Sequence, residues 1–176
     1  LTFCVGDSVR LASTNSAAGY NWLKDGAAFS SDSSIPVASA GSYQLILTNE
    51  FGCVDSSAAV TVIVNPLPVA AIDSNGSLTF CAGDSVRLAS TGSAAGGGMS
   101  AVSYSWLKDG IAFSTDLSIS VASAGTYQLI LTNEFGCVVS SEVVSVIVNP
   151  LPVAAIDSNG SLTFCAGDSV RLASTG

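Results

Sequence analysis

The sequence predicts an all-β protein built of repeated units, and three observations lead to this prediction. The phrase Leu-Thr-Phe-Cys-x-Gly-Asp-Ser-Val-Arg-Leu-Ala-Ser-Thr begins at Leu1, at Leu78 and again at Leu162. Apolar residues fall in short β-rich runs that turn residues separate. No window shows helical periodicity over about eleven residues. The chain is therefore expected to be a tandem array of β-domains.

The repeats have the size of domains. Successive copies begin 77 and 84 residues apart, because the second copy carries a seven-residue insertion, Gly97 to Ser103, in the loop before the segment around Trp106. A unit of this length folds alone, whereas solenoid repeats of less than half the length need neighbours. We expect residues 1–65 to form repeat 1, which lacks its first strand, residues 66–149 to form repeat 2, and residues 150–176 to begin a truncated repeat 3.

The strands of one unit are predicted from its β-rich runs. In the second copy these runs are Val86–Ala89, Tyr104–Leu107, Ile119–Val121, Thr126–Leu131 and Val143–Val148. The segments Lys108-Asp109-Gly110 and Asn133-Glu134-Phe135-Gly136 have hairpin chemistry, since glycine adopts positive φ without steric cost.

Composition and charge exclude two classes of partner. Hydrophobic residues make up 48% of the chain and charged residues 10%, yet no apolar run approaches the roughly eighteen residues that span a bilayer. The formal net charge of −8 opposes binding to nucleic acid and to anionic membrane surfaces. We therefore expect no nucleic-acid partner and no membrane insertion.

Three motifs in a fixed order resemble a known family. Gly-Asp-Ser-Val-Arg-Leu from Gly83, Tyr-x-Trp-Leu-Lys-Asp-Gly from Tyr104 and Ala-Gly-Thr-Tyr-Gln-Leu-Ile-Leu-Thr-Asn from Ala124 resemble strands B, C and F of immunoglobulin-like domains. The resemblance implies tandem immunoglobulin-like β-sandwiches arranged head to tail. Cys-x-Gly-Asp, Gly-Cys and the linker Asn-Pro-Leu-Pro further resemble the immunoglobulin-like and PKD-like repeats of giant secreted surface proteins of gliding bacteria, including their motility adhesins.

The sequence departs from antibody-type domains at the positions of their core disulfide. Ser13 and Leu45 stand there in the first unit, and Ser90 and Leu129 in the second. The resemblance implies that Trp22 and Trp106 pack in the core, the first against Val9, Leu11, Tyr43 and Leu45.

Each full unit has two cysteines, one before Gly-Asp-Ser-Val and one after Asn-Glu-Phe-Gly. Such counts indicate structural disulfides, because the chain has no His and no Cys-x-x-Cys to bind zinc. In the topology of the related domains the two cysteines lie at opposite ends of a sandwich. A strand spans roughly 17–26 Å, whereas a disulfide needs Cα atoms within about 7 Å.

The resemblance thus implies an interdomain disulfide between Cys4 and Cys137. By the same rule Cys81 and Cys165 pair with later units and Cys53 with an earlier one. The alternative, Cys4 with Cys53 and Cys81 with Cys137, follows from the count of two cysteines per unit and stays open.

Other candidate sites carry weaker patterns. Asp73 and Asn75, repeated as Asp157 and Asn159, offer oxygen ligands for calcium, although an Asx turn explains the same residues. No other cofactor is expected. The sequence Asp-Ser-Val resembles sites of O-linked glycosylation in the gliding-bacterial relatives, which makes Ser8, Ser85 and Ser169 candidate glycan carriers.

The absence of His excludes Ser-His-Asp and Cys-His catalysis, and the acids are spread over turns, so we expect no enzyme. The expected function is a structural stalk or filament segment of a large cell-surface adhesin, extracellular on a bacterium and stiffened by disulfides and Pro-rich junctions. Its partners would be further copies of the repeat and, at the surface, glycans. The alternative is a carbohydrate-binding or spacer module attached to a secreted glycosidase, for which Phe51 and Phe135 are exposed aromatic candidates.

Overall fold

The computed structural model describes residues 1–91 and 101–174, without the side chains of residues 101 and 102, and its regular elements there are all β-strands. No strand pairing among these residues crosses from 1–65 to 66–149, or from 66–149 to 150–174. We name these three parts unit 1, unit 2 and unit 3. None of the described residues belongs to a helix long and apolar enough to cross a membrane.

Unit 1 contains eight strands. They are β1 (Thr2–Cys4), β2 (Val9–Ala12), β3 (Gly19–Lys24), β4 (Ala27–Ser30), β5 (Ser34–Val37), β6 (Gly41–Thr48), β7 (Val54–Ser56) and β8 (Val60–Asn65). One sheet has the order β1-β8-β6-β3-β4, with β7 also paired to β6, and the second sheet consists of β2 and β5.

Unit 2 repeats this arrangement with one additional strand at its start. Its strands are β9 (Ile72–Ser74), β10 (Thr79–Cys81), β11 (Val86–Ser90), β12 (Ala101–Lys108), β13 (Ile111–Ser114), β14 (Ser118–Val121), β15 (Gly125–Asn133), β16 (Val138–Ser140) and β17 (Val144–Asn149). The sheets have the orders β10-β17-β15-β12-β13, with β16 paired to β15, and β14-β11-β9.

Unit 3 contributes only β18 (Ile156–Ser158) and β19 (Leu172–Ser174), which pair with each other.

Residues 97–100 of the insertion lie outside the described residues. The remainder, Ala101–Ser103, was expected to be loop but begins β12, where it pairs with Thr132 and Asn133 of β15. The longer strand extends the sheet with a shift of register, of the kind that a β-bulge produces, between Ala101 and Ser103.

Each unit buries a core between its two sheets. In unit 2 the buried residues are Val86, Leu88, Trp106, Ile119, Val121, Tyr127, Leu129, Leu131 and Val146. In unit 1 they are Trp22, Ile35, Val37, Tyr43, Leu45 and Val62, with Val9 and Leu11 packed against them. The expected packing of both tryptophans is confirmed. Their indole nitrogens donate to backbone carbonyls, Trp22 to Asp32 at 2.9 Å and Trp106 to Asp116 at 2.8 Å.

A tyrosine at the start of the longest strand ties each unit to its preceding loop. The hydroxyl of Tyr43 donates to the carbonyl of Ser39 at 3.0 Å, and that of Tyr127 donates to the carbonyl of Ser123 at 2.9 Å. This tyrosine corner, the two facing and mainly antiparallel sheets and the central tryptophan define an immunoglobulin-like sandwich. The all-β, immunoglobulin-like fold class expected from the sequence is confirmed.

The hairpin between β12 and β13 turns at Asp109 and Gly110, both with positive φ, as the sequence Asp-Gly predicts. The Asp109 carboxylate also accepts hydrogen bonds from the backbone nitrogen of Thr126 at 2.8 Å and from its hydroxyl at 3.1 Å. These bonds connect the hairpin to the start of β15. They lower the pKa of Asp109, since the backbone and side-chain donors of Thr126 stabilise the charged carboxylate and nearby Lys108 adds to the effect.

Candidate functional site at the junction of units 1 and 2

The junction involves two opposite ends of the units, which we name by their structures. The exit pole is the end of a unit at which its last strand ends, at Asn65 in unit 1 and Asn149 in unit 2. The turn pole carries the Asn-Glu-Phe-Gly-Cys turn before β7 or β16. In the structure the exit pole of unit 1 contacts the turn pole of unit 2.

Strand β1 places Cys4 at the exit pole of unit 1. Because β1 runs parallel to β8, Cys4 stands opposite Asn65, the last residue of the unit's final strand. The chain then turns through Gly6, whose φ is +97°, and the backbone nitrogen of Asp7 donates to the Cys4 carbonyl at 3.0 Å. The Cys4 side chain is thus held beside the point where the chain leaves unit 1.

Asn133 shapes the turn that presents Cys137. Its side-chain oxygen accepts hydrogen bonds from the backbone nitrogens of Phe135 and Cys137, both at 3.0 Å. Gly136 completes the turn with a φ of +78°, a conformation that favours glycine. The same bonds recur around Asn49 in unit 1, so this turn is a local property of its sequence.

A disulfide joins Cys4 to Cys137, with their Cα atoms 5.7 Å apart. This disulfide links two units, as the topology of the related domains implies. In the alternative within single units, Cys4 would instead pair with Cys53 and Cys81 with Cys137. Cys53, Cys81 and Cys165 are free and exposed. Cys53 lies at the turn pole of unit 1 and Cys81 at the exit pole of unit 2, opposite Asn149.

The Pro-rich linker also contributes to the junction. The side-chain nitrogen of Asn133 donates to the carbonyl of Pro66 at 2.9 Å. Asn65 and Pro68 are buried, and Leu67 lines a cleft together with residues 4–7, Gly136 and Val138. At the exit pole of unit 2 the corresponding Asn149, Leu151 and Pro152 are exposed among the described residues. Contact with a neighbouring unit therefore accounts for the burial of the first linker.

The exposure of the phenylalanine in each turn is consistent with the contact between units 1 and 2. Phe51 of unit 1 is 81% exposed, whereas Phe135 of unit 2 is 43% exposed.

Sequence reasoning placed both residues in hairpin turns but did not identify Asn133 as a junction residue. The motif Asn-Glu-Phe-Gly-Cys indicates the turn. Within that turn the side-chain nitrogen of Asn133 has no partner, so it is free to donate across the junction, and this is the signal that the sequence analysis missed.

The structure places three of the four calcium candidates, Asn75, Asp157 and Asn159, in hydrogen bonds to the backbone. The side-chain oxygens of Asn75 and Asn159 accept from the backbone nitrogens of Arg87 and Arg171, both at 2.9 Å. Asp157 accepts from the backbone nitrogen of Ser158. Among the residues described, no three His, Cys, Asp or Glu side chains are grouped as metal ligands. Calcium binding stays a hypothesis.

The candidate glycan carriers Ser8, Ser85 and Ser169 occupy equivalent turns before β2, β11 and the matching segment of unit 3, and all three are exposed. A shallow cleft beside Ser85 is lined by Asn75, Phe80 and Asp84. Glycosylation at these serines stays a prediction.

Comparisons with known proteins concern the fold. No model of a protein family matches the chain, and no curated protein matches it. It is similar to the fibronectin(III)-like modules of Clostridium thermocellum CbhA, at 12% identity and a TM-score of 0.47 over 85% of this chain and 89% of that chain. It is similar to murine CEACAM1b, at 14% identity and a TM-score of 0.41 over 84% and 96%.

A third similar structure comprises three N-terminal domains of the highly immunogenic outer capsid protein (Hoc) of bacteriophage RB49, at 16% identity and a TM-score of 0.40. It covers 99% of this chain and 66% of that chain.

Proposed function

We propose that the chain is a segment of a non-catalytic stalk or filament in a large secreted surface protein, of the adhesin type found on bacterial cells. In this function each immunoglobulin-like unit adds length, and the junctions set stiffness. The main partners are further copies of the same repeat, and surface glycans are candidate ligands of the assembled protein.

The observation that carries this proposal is the double connection between units 1 and 2. The peptide linker leaves unit 1 at Asn65, and the disulfide leaves it at Cys4, which pairs with Asn65 on the neighbouring strand. Adjacent strands lie about 4.8 Å apart, so two covalent connections side by side oppose twisting and bending more than one linker does. The hydrogen bond from Asn133 to Pro66 and the burial of Pro68 restrict the linker further.

The disulfide also supports an extracellular location. Disulfides form and persist in oxidising environments and are rare in the cytosol. Two exposed cysteines occupy positions equivalent to those of the disulfide. Cys53 lies at the turn pole of unit 1, as Cys137 does in unit 2, and Cys81 lies at the exit pole of unit 2, as Cys4 does in unit 1. This equivalence supports a longer array in which every junction is closed in the same way.

The test combines cysteine mapping with a measurement of shape. Peptide mapping without reduction should recover the Cys4–Cys137 peptide pair. Small-angle X-ray scattering should then give an elongated particle with one narrow distribution of lengths, which broadens in the variant Cys4→Ser. The matched control Cys53→Ser, which removes an exposed thiol outside the junction, should scatter like the original chain. Recovery of Cys4 paired with Cys53, or equal flexibility in all three proteins, would overturn the proposal.

A sugar-binding module is less well supported by the geometry. Stacking on sugars needs exposed aromatic platforms. Trp22 and Trp106 are core residues with satisfied indole nitrogens. Phe51 is exposed, but its counterpart Phe135 lies at the junction, so the repeated aromatic position serves contact between units better than contact with a ligand.

A further inference from the structure

Two asparagines of the chain stand in the acceptor sequence for N-linked glycans. This sequence is Asn-x-Ser or Asn-x-Thr, in which the middle residue is not proline. Of the eight asparagines, Asn75 and Asn159 are the two that fit it, in the identical segments Asn75-Gly76-Ser77 and Asn159-Gly160-Ser161. The proposed function makes no use of this motif, so we consider what its surroundings permit.

Asn75 lies in the loop that joins the two sheets of unit 2. Strand β9 ends at Ser74 in the smaller sheet, and β10 begins at Thr79 at the edge of the larger sheet. Between them, Asn75, Gly76 and Ser77 are all exposed. N-linked glycans are bulky and occupy surface loops of secreted proteins, so this loop meets their steric requirement.

Hydrogen bonds fix the direction of the Asn75 amide. The backbone nitrogen of Asn75 donates to the carbonyl of Arg87 at 3.1 Å, and its side-chain oxygen accepts from the backbone nitrogen of Arg87 at 2.9 Å. Because the backbone nitrogen is a donor, the amide oxygen and not the amide nitrogen must face it. The side-chain nitrogen of Asn75 has no hydrogen-bond partner among the described residues. The atom that would carry a glycan is therefore free to react.

The hydroxyl of Ser77, which the acceptor sequence requires, is also accessible. Its oxygen accepts from the backbone nitrogen of Thr79 at 3.1 Å, which leaves the hydroxyl proton free to donate. The hydroxyl of Ser74 donates to the carbonyl of Gly76 at 3.0 Å and closes the loop. The equivalent bonds recur around Asn159 in unit 3, so the shape of the loop is a local property of its sequence.

The shallow cleft beside Ser85 includes this loop in its lining. The cleft has a volume of about 510 Å³, and the loop contributes Asn75 and Ser77 to it, opposite a second segment with Phe80, Asp84 and Ser85. The side chains of Asp84 and Ser85 have no hydrogen-bond partner among the residues that the structure describes. Sugars use their hydroxyls to bond such groups and their apolar face to contact aromatic rings. A sugar attached to Asn75 thus has polar partners and one aromatic ring within reach.

We propose that Asn75 is an acceptor of an N-linked glycan, and that Asn159 is the equivalent acceptor in unit 3. The inference rests on the proposed function in one respect, since a secreted chain passes the membrane at which glycans are transferred. Glycans at this loop would add bulk and hydration to a chain with only 10% charged residues.

The transfer requires a donor and an enzyme from the cell that makes the protein. The donor is an oligosaccharide linked to a lipid diphosphate, and an oligosaccharyltransferase catalyses the reaction. A bond forms between Nδ2 of Asn75 and the anomeric carbon of the first sugar, while the bond from that carbon to the diphosphate oxygen breaks. The lipid diphosphate leaves with the bonding electron pair, and the amide nitrogen loses one proton.

The first experiment maps the glycans of the protein as its own cells secrete it. Trypsin separates the two acceptors, because cleavage after the basic residues gives the different peptides 25–87 and 109–171, each with one acceptor. We expect a glycan on the side chains of Asn75 and Asn159, located by fragmentation that leaves sugars on the peptide. An unmodified Asn75, or a glycan on Ser85 alone, overturns the inference.

The second experiment supplies the folded 176-residue chain to a purified oligosaccharyltransferase with a lipid diphosphate-linked oligosaccharide. Ser77→Ala should reduce the occupancy of Asn75 about tenfold or more, because it removes the required hydroxyl, whereas Ser77→Thr should keep the occupancy. Ser85→Ala is the matched control, since it changes a serine of the same cleft outside the acceptor sequence and should react like the original chain. Asn159 in the same chain is an internal standard for the reaction.

Equal occupancy of Asn75 in Ser77→Ala and in the original chain overturns the inference, and so does a folded chain that accepts no glycan. Either result leaves the stalk proposal standing, because that proposal is judged by the Cys4–Cys137 pair and by the shape of the particle.

Discussion

The side chain of Asn133 bonds to the turn of its own unit and to the chain that enters from the preceding unit. Its oxygen accepts from the backbone nitrogens of Phe135 and Cys137, and its nitrogen donates to the carbonyl of Pro66 at 2.9 Å. Asn133 is buried, so these bonds are shielded from water. One residue therefore sets the position of Cys137 and the position of the linker at the same time.

The contribution of the junction bond can be measured because the chain contains its own control. Asn133→Ala removes the turn bonds and the bond to Pro66, whereas Asn49→Ala removes the equivalent turn bonds of unit 1, where the structure gives the side-chain nitrogen no partner. We expect the first variant to lose more stability than the second by about 1 kcal/mol. Urea unfolding followed by tryptophan fluorescence checks this. Equal losses would show that the bond to Pro66 contributes nothing.

Removing the disulfide should destabilise the protein more strongly. Cys4 and Cys137 are separated by 133 residues, and cross-links that close long loops reduce the entropy of the unfolded chain most. Cys4→Ser should therefore cost about 2–5 kcal/mol of unfolding free energy. It should also expose the linker near Pro66 to proteases.

Cys53→Ser is the control for this prediction, since Cys53 is free and exposed. Its urea midpoint should match that of the original chain. If Cys4→Ser unfolds at the same urea concentration as Cys53→Ser, the disulfide does not constrain the unfolded state.

Acid should weaken unit 2 through Asp109. The hydrogen bonds from Thr126 hold the pKa of Asp109 below the ordinary value of 3.8 in the folded state. The folded protein therefore binds this proton less readily than the unfolded chain does. The stabilisation is fully present above the unfolded pKa and is lost as pH falls through the folded pKa, so the window lies below about pH 4.

Urea unfolding at pH 7 and at pH 3 tests this expectation. Asp109→Asn cannot titrate and should lose less stability between the two pH values than the original chain. An unchanged pH dependence in Asp109→Asn would contradict the assignment.

The sequence predicted the repeat, the all-β class and the core tryptophans, because these follow from local patterns and from motifs in a fixed order. The resemblance to immunoglobulin-like domains implied Cys137 as the partner of Cys4, because in their topology the length of a strand separates the two cysteines of one unit. The alternative pairing within single units stayed open from the sequence. The sequence analysis did not identify four short strands, β1, β7, β10 and β16. Each has only three residues, and such runs carry little periodicity.

Differences in burial between equivalent positions of the repeats could not be predicted from the sequence. Phe51 and Phe135 occupy the same position in identical turns, yet Phe51 is 81% exposed and Phe135 is 43% exposed. Asn49 and Asn133 likewise occupy the same turn but differ in whether a neighbouring unit covers them. Each difference arises from strands and units distant in sequence, so no local pattern reports it.

The position of the disulfide predicts how the chain extends under tension. When the chain is pulled at residues 1 and 176, force passes from Cys4 to Cys137 through the disulfide, and the residues between them carry no load. Reduction places those residues in the load path. Since 133 positions separate the two cysteines, the contour length should increase by about 440–480 Å at 3.3–3.6 Å per residue. Single-molecule force spectroscopy with and without reductant measures this increment. The variant Cys4→Ser should give the long contour length under both conditions, whereas Cys53→Ser should still switch. If the oxidised chain already extends to the contour length of the chain without the disulfide, the Cys4–Cys137 disulfide carries no force. The junction would then be a hinge.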